Sequence, residues 1–76
     1  MIIYEAYING GDYYNPIQEV GIYNDFEIAK KEVESASEYI EELYVNVLEL
    51  KGNRFEITER WSLDKNDKNS IWKKEE

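Results

Sequence analysis

Neither cysteine nor histidine occurs anywhere in the chain. Without cysteine there is no disulfide, no thiolate nucleophile and no zinc site built on sulfur. Without histidine the chain lacks the one side chain whose ordinary pKa lies near neutrality, the usual general base and metal ligand. Any chemistry would rest on carboxylate, Lys, Tyr or Ser groups, so most hydrolase and metalloenzyme schemes fall away. Positive charge is also scarce: 9 Lys and Arg stand against 17 Asp and Glu, a net charge of −8. Phosphate-directed binding to DNA or RNA needs a positive face, and an anionic membrane surface would repel this chain. Neither nucleic acid nor membrane is an expected partner. No apolar run approaches the ~18 residues a membrane span needs. The opening Met1-Ile2-Ile3-Tyr4-Glu5 has neither the basic flank nor the small-residue cleavage site of a signal peptide. The expectation is a cytoplasmic protein.

What remains describes a small folded unit. Its 76 residues make one domain, near the lower size at which a single core suffices. Net stability at that size is a few kcal/mol, which makes a deep substrate cavity hard to sustain. An apolar content of 42%, with 7 Tyr and 2 Trp, argues for folding despite the charge.

Residues 2–8 alternate Ile2, Tyr4, Ala6 and Ile8 with Ile3, Glu5 and Tyr7, a strand apolar on both faces and so expected inside a sheet. Asn9-Gly10-Gly11-Asp12 supplies turn residues tolerant of positive φ, and Pro16 holds Asn15 extended. A second strand follows over about residues 17–23, with Val20 and Ile22 on one face. Asn24 or Asp25 is the expected helix N-cap, and Glu27 complements the dipole of the first turn. Phe26, Ala29, Val33, Ala36 and Ile40 then recur at helical spacing, with Lys31, Glu34, Glu38 and Glu41 opposite. Glu27 and Lys31 are expected to pair, and the helix to end between Ile40 and Glu42.

β-Type composition returns near Leu43. Residues 44–51, the turn Gly52-Asn53 and residues 54–63 read as a hairpin. Pairing Lys51 with Arg54 sets Leu50 against Phe55, Leu48 against Ile57 and Tyr44 against Trp61. The same register sets Glu49 against Glu56, which signals a solvated face or a bulge that shifts the pairing. The expected fold is therefore α+β: a four-stranded antiparallel sheet, ββαββ in order 2-1-3-4, with one helix packed on one face. Residues 1–63 form the domain, and residues 64–76 a flexible charged tail whose Ile71 and Trp72 dock on the sheet.

Gly21-Ile22-Tyr23-Asn24-Asp25, leading into Glu27, Ala29 and Val33, resembles the G-[VI]-Y-x-x-x-E-x-A strand-to-helix junction of a family of small uncharacterised bacterial and phage proteins. Phe55-Glu56-Ile57-Thr58-Glu59 is similar to the F-x-I-x-E last strand of that family, and Leu63-Asp64 with Trp72 to its ending. Asn24-Asp25 replaces the family's Ser pair, and the acidic tail replaces its W-x-x-G-F. The resemblance implies the fold and a phage or bacterial origin; it brings no activity.

Two groups of residues are candidates for a partner surface. Glu32, Glu34, Glu38, Glu41 and Glu42, with Glu49 and Glu56, form an acidic set whose carboxylates imitate phosphates in another protein's nucleic-acid groove. Small acidic phage-type inhibitors of host nucleases and transcription factors work in a similar way. The plain alternative is a solvated helix face. Tyr13 and Tyr14, in a Gly-rich loop beside Pro16, offer contact area with a hydrogen-bonding tip, or else one of them covers the sheet edge. Asp64-Lys65-Asn66-Asp67-Lys68-Asn69 departs from a calcium loop at Lys68, and Gly10-Gly11 lacks the helix and Lys of a phosphate loop. No catalytic residue, metal ligand or cofactor is expected. The expected function is a non-catalytic interaction protein that inhibits a basic or nucleic-acid-binding protein partner. The alternative is a homo-oligomeric structural module, minimally a homodimer, in which a second copy covers Ile3, Tyr7, Val45 and Val47 on the sheet face opposite the helix.

Overall fold

The computed structural model describes residues 1–9, 17–37 and 42–75. Among these, β1 (Ile2–Asn9), β2 (Ile17–Tyr23), α1 (Phe26–Ala36), β3 (Glu42–Lys51), β4 (Arg54–Asp64) and β5 (Lys73–Glu75) follow in chain order. The fold is α+β with an antiparallel sheet in the order β2-β1-β3-β4-β5. The expected order of the first four strands holds. The sheet has five strands among the described residues, however, not four. Residues 10–16, expected as a turn and loop, and residues 38–41 lie outside the described residues.

β1 is internal because both of its faces can be buried, as its alternation indicated. Ala6 and Ile8 point to the helix side with Leu43 and Val45 of β3, and Ala29 and Val33 of α1 close the core above them. Ala6, Ala29, Val33, Leu43 and Val45 are fully buried. Asp25 caps the helix: its Oδ1 accepts from the Ile28 N–H at 3.1 Å, satisfying one orphan donor of the first turn. Ser37 is the C-cap, so α1 stops a turn short of the sequence expectation. Glu27 pairs with Lys30 at 3.0 Å, one residue earlier than the expected Lys31. Lys30 gains twice from this position, since its ammonium also lies 4.5 Å from the Phe26 ring centre.

The hairpin follows the expected register at its tip: Lys51 with Arg54, Leu50 with Phe55, Glu49 with Glu56 and Leu48 with Ile57. Gly52 has φ +66° and Asn53 keeps a negative φ, the sign pattern of a type II′ turn with glycine first. A bulge between Val47 and Leu48 then shifts the pairing. Thr58 is the extra residue, and its hydroxyl donates to the Val47 carbonyl at 3.3 Å. Beyond the bulge Tyr44 faces Ser62, and Trp61 faces Val45 rather than Tyr44. The bulge accounts for the new partner of Trp61, and the unbroken β1–β3 register corrects a second expectation. Val45 and Val47 lie beneath the helix, whereas Tyr44, Asn46 and Leu48 share the open face with Ile3 and Tyr7.

The fifth strand has a packing reason. The backbone of the helix lies over β1, β2 and β3, and its Phe26 ring extends to Trp61 of β4, with ring centres 5.2 Å apart. That covers only part of the β4 side of the core, and Trp72 packs against the same core cluster as Trp61 and Leu63. Its indole N–H donates to Glu34 Oε1 of the helix at 2.8 Å. Two Asx turns carry the chain to it: Asp64 Oδ1 accepts from the Asn66 N–H and Asp67 Oδ1 from the Asn69 N–H, each at 2.9 Å. The repeated Asp-Lys-Asn therefore works as tandem turn signals. β5 then pairs Lys73, Lys74 and Glu75 with Ser62, Trp61 and Arg60. The segment expected as a flexible tail thus contributes the strand at one edge of the sheet.

Candidate interaction surface

The sheet has one face under the helix and one open face, and the open face is built in cross-strand rows. At the hairpin end Ile3, Leu48 and Ile57 stand side by side, with Leu50 and Phe55 in the next row. Phe55 is 43% exposed and Ile57 53%, so these side chains face water. One row further along come Ile22, Glu5, Asn46, Arg60 and Glu75, one residue from each strand. The next row sets Glu19, Tyr7, Tyr44, Ser62 and Lys73 together. Ile17 of β2 and Glu42 of β3 flank Asn9 at the far end, where Glu42 also faces Asp64.

The middle row is a hydrogen-bonded relay. Asn46 is only 4% exposed, and a buried amide left unpaired costs roughly 1–3 kcal/mol. Its Nδ2 donates to Glu5 Oε1 at 3.1 Å, and its Oδ1 accepts from Arg60 Nε at 3.0 Å. The amide therefore joins an anion on β1 to a cation on β4, satisfied at both ends. Among the described residues no buried side-chain nitrogen or oxygen lacks a partner.

Beside the relay, the Tyr7 and Tyr44 rings stack with centroids 5.0 Å apart and planes 9° from parallel. The Tyr44 hydroxyl donates to Glu42 Oε2 at 2.6 Å. Losing that proton would set a phenolate against a carboxylate, so the hydrogen bond to Glu42, with some desolvation, pushes the Tyr44 pKa up to about 12. Burial also raises the Tyr7 pKa above its ordinary value, and the nearby Arg60 partly opposes this. Both phenols are neutral hydrogen-bonding groups across the physiological range. Neither is tuned toward a general base at neutral pH.

Hollows open on this face among the described residues. One, of about 350 Å³, is lined by Glu5, Tyr7, Ile17, Glu19 and Asn46. Another, of about 160 Å³, lies among Glu42, Tyr44, Ser62, Leu63, Asp64 and Glu75. Among the described residues no three acidic side chains converge in a way that could hold a metal ion. No helix among them is long and apolar enough to cross a membrane.

The residues singled out from the sequence are not gathered into one site. Glu34 lies on the helix and is engaged by Trp72; Glu42 lies on the open face and is engaged by Tyr44. The sheet separates them. Glu38, Glu41, Tyr13 and Tyr14 fall outside the described residues. Glu32 is exposed on the helix, while Glu56 pairs with Lys51 at 3.5 Å. Sequence reasoning missed Glu5, Glu19, Asn46 and Arg60. Two of them carried a signal: Glu5 and Asn46 are the polar interruptions within strands 1 and 3, and they turn out to be direct neighbours.

No protein-family model, no curated protein and no solved structure matches the chain.

Proposed function

We propose that this chain is a small, acidic, non-catalytic interaction protein that binds and inhibits a basic or nucleic-acid-binding protein by surface complementarity. The observation that supports this reading is a group of exposed apolar side chains on one face. Ile17, Ile22, Leu50, Phe55 and Ile57 fall on the sheet face that the helix leaves open, while Ile2, Ile28 and Ile71 are exposed elsewhere. Apolar surface interleaved with fixed charge is the composition of a protein interface. The net charge of −8 then favours a basic partner, through steering at long range and phosphate-like carboxylates at contact. A cytoplasmic location belongs to the same reading. So does a bacterial or phage origin, which rests on the resemblance of the strand-to-helix junction and the Phe55-Glu56-Ile57-Thr58-Glu59 strand. Affinity capture from bacterial lysate tests the proposal: a basic protein is retained at low salt and released at high salt. Retention of no basic protein at low salt contradicts it.

The second reading, a homo-oligomeric module, is favoured by the Ile3–Leu48–Ile57 row, which a second copy could cover. Sedimentation separates the two. A tight dimer at low micromolar concentration supports the module, and a monomer supports the inhibitor.

A further inference from the structure

Resting on the interaction reading above, we propose that the groove between β1 and β2 on the open face is a receptor for an arginine side chain of the partner protein. The groove, about 350 Å³, has a ring, an aliphatic wall and two carboxylates: Tyr7, Ile17, Glu5 and Glu19, with Asn46 in its lining. Tyr44 stacks on one side of the Tyr7 ring, and Glu19 is the cross-strand neighbour on the other. A flat cation entering the groove from the β2 side meets the Tyr7 ring and a carboxylate together. A guanidinium suits both, because it stacks on an aromatic face and offers a planar fork of donors. An ammonium matches the charge but has neither the plane nor the fork.

The local charges leave room for that guest. Glu19 is exposed and has no ion pair among the described residues. Glu5 uses Oε1 toward Asn46, and the one cation of the relay, Arg60, approaches Asn46 from the β4 side, away from the groove. Asn46 is satisfied at both ends of its amide, so it does not compete for the guest. Charge also decides between occupants. A second copy would bring Glu5, Glu19, Glu42 and Glu75 against the same residues, whereas a basic segment would neutralise them. Ile17 and Ile22, 67% and 56% exposed, supply the apolar contact beside the groove. The fitting partner segment alternates arginine with aliphatic side chains.

The test uses the full chain and three synthetic peptides: one alternating Val and Arg, its Lys counterpart, and its citrulline counterpart, which keeps the shape and loses the charge. Titration is followed by calorimetry and by amide NMR shifts. The arginine peptide should bind saturably, shift Tyr7, Ile17 and Glu19, and bind more tightly than the lysine peptide, while citrulline abolishes binding. Glu19→Gln should weaken the arginine peptide roughly threefold to tenfold, and Glu27→Gln on the helix should leave it unchanged. Arginine binding that shifts only helix residues overturns the groove assignment and leaves the acidic-interaction reading standing. Absence of saturable binding by either cationic peptide overturns the assignment and removes the electrostatic basis of that reading as well. Equal affinity for lysine and arginine peptides also overturns it, since charge alone would then account for binding. A dimer whose interface blocks the groove does the same.

Discussion

Asn46 stands between Val45 and Val47, which turn beneath the helix, and is itself nearly buried on the opposite face. A residue of that polarity persists there because Glu5 and Arg60 complete its amide. Asn46→Ala should therefore destabilise the fold by about 2 kcal/mol in denaturant unfolding, since it strands two charged groups beside a cavity. Glu5→Gln keeps an acceptor oxygen at the same place and should lose less than about 0.5 kcal/mol. Equal losses would contradict the relay. Tyr44 provides a second test. Its folded pKa, near 12, exceeds the ordinary phenol value of 10.0, so the stabilisation is complete below pH 10 and fades as pH rises toward 12. Tyr44→Phe should flatten the loss of stability across that alkaline window, as measured by urea unfolding at successive pH values. A variant whose stability falls as steeply as the wild type there would show that Glu42 does not hold the phenol proton.

The elements differ in how openly the sequence announces them. β1, β2 and the hairpin tip were legible because period-two alternation, Gly52 and Asp25 each state a local rule that nothing overrides. The bulge at Thr58 was not legible in position, although the clash of Glu49 with Glu56 hinted at one. A single extra residue moves every later side chain of its own strand to the other face, so Trp61 was set against Tyr44 when it faces Val45 beneath the helix. Val45 and Val47 were misplaced separately, because the alternation of β3 does not say which of its faces the helix covers. β5 was hidden for another reason. Lys73-Lys74-Glu75 has no β-type composition, and its existence follows from Trp72 filling the space over β4 that the short helix leaves. Charged side chains also suit a short edge strand, because they discourage further pairing. Trp72→Ala should detach this edge and lower stability by about 2 kcal/mol, less than for a fully buried tryptophan because Trp72 is partly exposed. Asp25→Ala should cost about 1 kcal/mol through the lost cap. Thermal unfolding of the two variants ranks them, and a larger loss for Asp25→Ala would mean that β5 contributes little.

At the scale of the whole molecule, a single helix over one sheet face leaves the other face to water or to a partner. The candidate site was only partly legible for that reason. Acidic residues can be counted in a sequence, but their sides cannot be assigned until the register is known. Glu34 and Glu42 end on opposite sides of the sheet, while Glu19 and Glu5, far apart in sequence, line one groove. The net charge of −8 spreads over both sides, so binding of a basic partner should weaken steeply with added salt. Apolar contact on the open face should make part of it persist. The most direct test of that account is the methyl NMR spectrum of isoleucine-labelled chain, taken with and without the captured partner. Ile17, Ile22 and Ile57 mark the open face, while Ile28 and Ile71, also exposed, mark the helix and the segment before β5. Shifts at the first three with the last two unmoved are the predicted result; shifts confined to Ile28 and Ile71 would contradict it.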